Sequence, residues 1–307
     1  MAASVRRIVW SPEIVWTIGV NDMMKDQLAL RVAGEDPVVY IGPSRGWLPI
    51  QLGELWDYRE LISLLVWRDL RASYAQTGLG VAWVFVKPAV LMAMFAIVFG
   101  LLAKIPSDGI PYPLFMFSAL LPWQYFSRAL SGAGMSLVAN QHLITKVYFP
   151  RLVIPLSAMV GPLVEFGVTA FLLLLMMGYF QVVPTRGVWL LPIFLLVGMG
   201  TAFGVGIWLS ALSVRFRDVA HAHPFITQMW FFATPVLYPS SLVPDSWRWL
   251  YWMNPMAGVI EGFRWALLGT EMFSVPMMTI SVVVMLAIFV PGLYVFRRME
   301  RTFADRV

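Results

Sequence analysis

The stretch SVRFRDVAHAHPFITQMWFFATPVLYPSSLVPDSWRWLYWMNPMAGVIEGFRWALLG, residues 213–269, decides the fold. It opens on a charged patch, Arg215, Arg217 and Asp218, and runs through an apolar, aromatic segment to Tyr238. It then turns at Pro239 and Pro244 and ends in a second aromatic segment broken at Asn254-Pro255. One more apolar run follows, closed by Arg297 and Arg298. A bilayer needs about 20 apolar residues per helix, so 247–269 is long enough to cross. Whether it crosses sets the topology of the whole chain.

Composition fixes the class. The 307 residues are 59% hydrophobic and 13% charged, with a mean hydropathy of +0.74. Soluble domains carry roughly a quarter charged residues, so the sequence reads as an all-α polytopic membrane protein. Cysteine is absent, which excludes disulfides and thiolate chemistry. The net charge of +5 fits basic cytoplasmic loops rather than nucleic-acid binding. Arg6 and Arg7 precede only a short mixed run that Asp22 and Lys25 end, so no signal peptide is expected.

Working outward, six apolar runs are expected to span, at 81–103, 114–138, 152–180, 188–213, 219–237 and 275–296. Gly198, Gly200, Gly204 and Gly206 in the fourth allow close helix approach. Residues 1–53 read as a cytoplasmic arm, 54–80 as an amphipathic interface helix and its link, and 81–307 as the membrane domain. On the interface helix Asp57, Glu60, Arg68 and Arg71 fall near one stripe, with Trp56 and Trp67 as headgroup anchors. A six-span chain places Arg59, Arg68, Arg71, Lys87, Lys146, Arg151, Arg215, Arg217, Arg297, Arg298, Arg301 and Arg306 inside. Only Lys104, Arg186, Arg248 and Arg264 fall on the other side. A seven-span chain would export the basic tail, so the positive-inside rule favours six spans and cytoplasmic termini. Segment 247–269 then enters from the outer face and returns as a hairpin. Glu261 and Arg264, three apart, share a helix face there and can pair. Irregular backbone at membrane depth must be surrounded by protein or water, so this hairpin belongs inside the bundle.

Few residues offer chemistry. No lysine follows a glycine, so no P-loop is expected and ATP would be hydrolysed elsewhere. His221 and His223, two apart on a helix, point to nearly opposite sides, and no metal site is assigned. Glu165, an acid within an apolar run, reads either as a structural acid or as a polar lining of a path. Arg128 is costly in lipid and is expected to face protein or water. Aromatic residues serve as headgroup belts or as platforms for sugar rings. Trp230-Phe231-Phe232, internal to its run, suits a path lining better than Trp247 or Trp249.

Four fragments stand in order: Arg215-Phe216-Arg217-Asp218-Val219, Trp230-Phe231-Phe232 with Thr234-Pro235-Val236, Asn254-Pro255-Met256, and Glu261-Gly262-Phe263-Arg264. With the link at 74–80, Trp83 and Pro88, and the loop at 143–151, the sequence resembles the membrane permeases of type-two ABC exporters that move polysaccharides. That family includes the O-antigen, capsule and teichoic acid permeases. The resemblance covers about 47–301. It implies a bacterial inner-membrane homodimer driven by two copies of an ATPase subunit that holds the ATP and Mg, with no cofactor on this chain. Its cargo would be a polysaccharide on a polyprenyl lipid. It assigns the loop with Asn140, Gln141, His142, Leu143 and Lys146 to ATPase coupling. Trp83, Glu165, Trp230, Phe231 and Tyr238 are the candidates for the substrate path, and Asn254, Pro255, Met256, Glu261 and Arg264 for an outer gate. Two other classes stay open: a polytopic enzyme acting on lipid-linked sugars, and an ion-coupled carrier.

Overall fold

The computed structural model describes residues 52–74, 82–102, 104, 106–107, 109–146, 149–216, 218–271 and 273–306. The arm expected at 1–53 lies almost wholly outside the described residues, as does the link at 75–80. In chain order the α-helices are α1 (Leu52–Asp57), α2 (Arg59–Tyr74), α3 (Trp83–Phe95), α4 (Tyr112–Ala139), α5 (Gln141–Lys146) and α6 (Val153–Tyr179). Then come α7 (Leu191–Arg215), α8 (Asp218–Phe232), α9 (Arg248–Trp252), α10 (Pro255–Leu268) and α11 (Val275–Arg306). A π-helical stretch, Ala96–Leu102, extends α3, and a 3-10 turn, Arg186–Leu190, leads into α7. No strand occurs among the described residues.

Helix α4 is the centre of the bundle. Its 28 residues run about 42 Å. Leu114, Phe115, Met116, Phe117, Leu120 and Phe126 are all buried, although they point in every direction around the axis. A helix that is apolar all round must be surrounded, and α4 is, by α6, α7 and α10. Small residues bring its second half against α7. A Cβ added to Gly206 would sit 2.7 Å from that of Ala133. On the other side of α7, a Cβ on Gly204 would meet the Phe289 backbone of α11 at 2.9 Å. Helix α7 is thus held between two backbones at van der Waals distance, the packing available to helices that lipid cannot drive together.

Among the described residues, four helical stretches are long and apolar enough to cross a membrane: Trp83–Leu102, Val153–Tyr179, Arg186–Arg215 and Val275–Glu300. They match the first, third, fourth and sixth expected runs. The second run is α4. The fifth, expected over 219–237, stops as a helix at Phe232, leaving α8 only 15 residues long. The reason is local. Pro235 disfavours helix at Thr234 and has no N–H to donate. The freed backbone is taken up by Asn254, whose Nδ2 donates to the Ala233 carbonyl at 3.2 Å and to Thr234 Oγ1 at 2.9 Å.

The region expected as an interface helix forms two pieces, α1 and α2, separated at Tyr58. Leu65 of α2 is buried and α2 packs on α6, while Trp56, Leu64 and Trp67 are exposed. The guanidinium of Arg59 lies 5.8 Å from the Trp56 ring, and that of Arg71 5.8 Å from the Trp67 ring.

Candidate functional site

Segment 247–269 folds as two short helices meeting at a break. Asn254 makes the break because Pro255 follows it, and its side chain caps α10 by accepting from the Met256 N–H at 3.1 Å. The same oxygen accepts from Trp230 Nε1 at 2.9 Å. One asparagine therefore ties α10 to both α8 and the turn after it. The far end of α10 is closed by Gly269 at φ +75°, a left-handed cap that suits glycine. There the Thr185 hydroxyl donates to the Ala266 carbonyl at 2.9 Å.

Between these ends lies a buried ionic core. Glu261 and Arg264 are 2% and 1% exposed and pair at 3.1 Å. Arg264 also donates to the carbonyls of Val236 at 3.1 Å and Tyr238 at 3.4 Å. Its guanidinium lies 3.7 Å from the centre of the Phe115 ring on α4. Ser240 donates to Glu261, and Tyr251 of α9 sits 3.4 Å from the Ser240 hydroxyl. Burial pushes the Tyr251 phenol well above its ordinary range, so it remains a neutral hydroxyl. The i, i+3 pair expected from the sequence thus exists. What it holds, the turn at 236–240, was not visible in the spacing. Helix α10 is nearly all buried, Met256 completely so, whereas Trp247, Trp249, Leu250 and Met253 around α9 are exposed.

A second constellation is shared by α3, α4 and α6. Arg128 of α4 and Glu165 of α6 form an ion pair. Lys87 and Trp83 of α3, Gln124 of α4 and Thr169 of α6 line the same place. Lys87, Gln124 and Arg128 also line a separate cleft of about 280 Å³, bounded further by Leu91, Phe95, Trp123 and Phe231. Phe231 packs on Trp123 at 5.4 Å and stacks on Phe95 at 6.5 Å, so one wall is aromatic. The Lys87 ammonium lies 5.9 Å from the Trp83 ring. Of the five path candidates, Phe231 lines this cleft, and Trp83 and Glu165 line the small space beside Lys87 and Arg128. Trp230 faces away, its indole engaged by Asn254 and its ring edge-on to Phe126 at 4.9 Å. Tyr238 belongs to the hairpin, donating to the Phe232 carbonyl at 3.1 Å. Lys87, Gln124 and Trp123 were missed as site residues. Lysine and arginine inside apolar runs were the available signal, but no spacing rule relates three separate helices.

At the end of the bundle where α4 passes into α6, the loop folds as the short helix α5. Ile144 is buried and anchors it, leaving Gln141, His142, Thr145 and Lys146 exposed. Asn140 starts it: its carbonyl accepts from the Leu143 N–H at 2.9 Å, and its side-chain oxygen accepts from Arg68 of α2 at 2.8 Å. Beyond α5, the Arg151 N–H donates to the Glu300 carboxylate of α11 at 2.9 Å, and its guanidinium to the Glu300 carbonyl. The coupling candidates Asn140, Gln141, His142, Leu143 and Lys146 are therefore brought together on one short element tied to both α2 and α11.

Comparison with known proteins gives consistent likenesses. Residues 60–268 match the family described as ABC-2 type transporter. The chain is 37% identical to the O-antigen export system permease protein RfbA of Myxococcus xanthus, over 69% of this chain and 81% of that one. It is 28% identical to the corresponding Klebsiella pneumoniae protein, over 83% and 96%. It is 25% identical to the polysialic acid transport protein KpsM of Escherichia coli, over 67% and 81%.

Proposed function

The chain belongs to the ABC-2 type transporter family, and from that membership we infer that it is the membrane permease of an ABC exporter for a polysaccharide. The observation that carries the reading is the 37% identity to an O-antigen export permease across 81% of that relative. ATP is hydrolysed on a partner ATPase subunit, and this chain supplies the path.

Six spans, α3, α4, α6, α7, α8 with its following turn, and α11, cross the bacterial inner membrane with both termini inside. Helices α1 and α2 lie at the inner interface, their exposed tryptophans and neighbouring arginines suited to headgroups. Two copies of the chain enclose the path and two ATPase subunits dock on α5. A short helix fixed at both ends moves as a unit, so ATPase closure against α5 reaches α2 through Arg68 and α11 through Arg151. The cargo is an O-antigen type glycan on a polyprenyl lipid. Aromatic faces line its route, and the hairpin of α9 and α10 closes it from outside. Glu261 and Arg264 lock α10 as the frame of this gate, and α9 supplies its exposed edge.

The test is co-purification of the tagged permease with an ATPase carrying Walker motifs, followed by ATP hydrolysis with and without lipid-linked glycan. Stable capture and glycan-stimulated turnover are expected. Glycan hydrolysis or glycosyl transfer by the permease alone would replace the exporter with a membrane enzyme.

A further inference from the structure

We propose that α11 is a hinged lever. Its fulcrum lies where Trp208 of α7 meets Pro291-Gly292, and Glu300 is the positioning residue through which ATPase closure on α5 tilts its last turns. The proposal rests on the exporter reading for the docking site on α5 and deepens it by naming a second element that the stroke bends.

The first part of α11 is fixed. The helix has 32 residues and runs about 48 Å, with Pro291 midway along it. Before the proline, α11 lies on α7 at backbone distance. A Cβ added to Gly200 would meet the Met285 sulfur at 2.7 Å, and one on Gly204 the Phe289 Cα at 2.9 Å. The Phe203 and Phe289 rings lie 5.8 Å apart. Gly258 of α10 rests against Ser281, with no room for a Cβ. Surfaces packed this closely on two sides do not slide.

The middle of α11 is weak. Pro291 has no N–H for the Ala287 carbonyl, and its ring crowds that turn, so the helical ladder is interrupted. Gly292, with the freest backbone, follows. Trp208 stands at this point, its indole donating to the Ile288 carbonyl at 3.1 Å. A Cβ on Gly292 would meet Trp208 Nε1 at 2.8 Å and the Gly204 carbonyl at 3.0 Å. The break is therefore seated on α7. Beyond it, a change in a few dihedrals can turn the rest of the helix.

The last part of α11 is fastened to the coupling loop. One Glu300 carboxylate oxygen accepts the Arg151 backbone N–H at 2.9 Å, and the other lies 3.7 Å from the Arg297 guanidinium. The Glu300 carbonyl accepts from the Arg151 guanidinium. Arg151 follows α5 by five residues, and α5 packs on α11 itself. A tie to a backbone N–H follows the main chain rather than a rotamer. Glu300 stands nine residues beyond Pro291. That is about 13.5 Å along the axis, so a tilt of about 10° moves it by roughly 2 Å. Shifts of about 1–2 Å are the ordinary stroke of a packed helix interface.

The test uses the full permease bound to its ATPase in nanodiscs and reads EPR distances between spin labels on cysteines placed in this cysteine-free chain. Labelled chain is diluted with unlabelled chain, so that distances within one copy are read. Arg215→Cys with Arg298→Cys joins α7 to the last part of α11, and Ile193→Cys with Val283→Cys joins α7 to the first part; all four positions are exposed. Trapping with ATP and vanadate is expected to change the first distance by about 2 Å or more and the second by less than about 1 Å. Glu300→Ala abolishes the first change, while ATPase capture and hydrolysis stay within about twofold of wild type. Glu300→Gln keeps an acceptor for the Arg151 N–H and retains part of the change. Pro291→Ala reduces it at least about twofold while the melting temperature holds or rises, a combination that a merely structural proline does not give. Equal changes in both pairs, an unchanged response in Glu300→Ala, or a full response in Pro291→Ala overturns the lever. If Pro291→Ala fails to assemble, the Glu300 variants still decide. Wild type that captures and drives its ATPase while α11 stays still overturns the lever alone. Wild type that captures no ATPase overturns the exporter reading and the lever with it, so the two failures are told apart.

Discussion

Replacing Arg264 by methionine tests what holds α10 to the turn at 236–240. Methionine keeps most of the length and the apolar stem, so packing over Phe115 is largely preserved. It removes donors to Glu261 at 3.1 Å and to the carbonyls of Val236 at 3.1 Å and Tyr238 at 3.4 Å. The cost is dominated by the carboxylate left behind, 2% exposed and without its cation. Breaking a buried pair from one side costs about 3–5 kcal/mol. In a domain of some 150–250 residues each kcal/mol lowers the melting temperature by about 2–4 °C, so a drop of roughly 6–20 °C is expected. Glu261→Gln with Arg264→Met leaves no buried charge, since Ser240 can donate to the amide oxygen. The double variant should recover much of the loss, a positive coupling in a double-mutant cycle. The assay is the melting temperature of detergent-purified protein, read by size-exclusion after heating. A single variant within about 2 °C of wild type, or a double variant as unstable as the sum of the singles, would show that the pair does not hold the hairpin.

Three further outcomes follow from other elements. Single cysteines in this cysteine-free chain should label from inside at Lys146 and Arg298 and from outside at Arg186; outside labelling of Arg298 in intact cells contradicts six spans. Lys146→Glu should leave insertion intact but separate ATP hydrolysis from export, and Arg68→Ala should do so more weakly through Asn140; normal export by both moves the docking site off α5. A bulky impermeant maleimide on Met253→Cys, at the exposed edge of the hairpin, should slow export while assembly and ATPase capture persist; an unchanged export rate makes the hairpin a fixed plug.

The break and the ion pair in 247–269 were legible because their determinants are local. Asn254-Pro255 announces a break through the constraint proline places on its predecessor, and Glu261 with Arg264 announces a pair through helical spacing. Thr234-Pro235 carries the same kind of break, yet an apolar run continues across it. Hydropathy therefore extended α8 to Leu237, where the chain stops the helix at Phe232. The cleft was only half legible. Trp83, Glu165 and Phe231 were candidates individually, but Arg128 meets Glu165 across two helices 37 positions apart, and no periodicity relates them. Trp230, a path candidate because it sits inside an apolar run, donates its indole N–H to Asn254 at the break, a bond that no spacing rule announces. Met256 followed the break in sequence but is completely buried, so the exposed edge of the hairpin lies with α9.

If this chain is the path through which an ATPase exports glycan, proteoliposomes holding the permease and its ATPase will move a fluorescently tagged lipid-linked glycan when ATP is supplied. Transport is expected to require both proteins and to stop when the Walker lysine of the ATPase is replaced. Transport by the permease alone that tracks an ion gradient, or none with the complete complex and hydrolysable ATP, would contradict it.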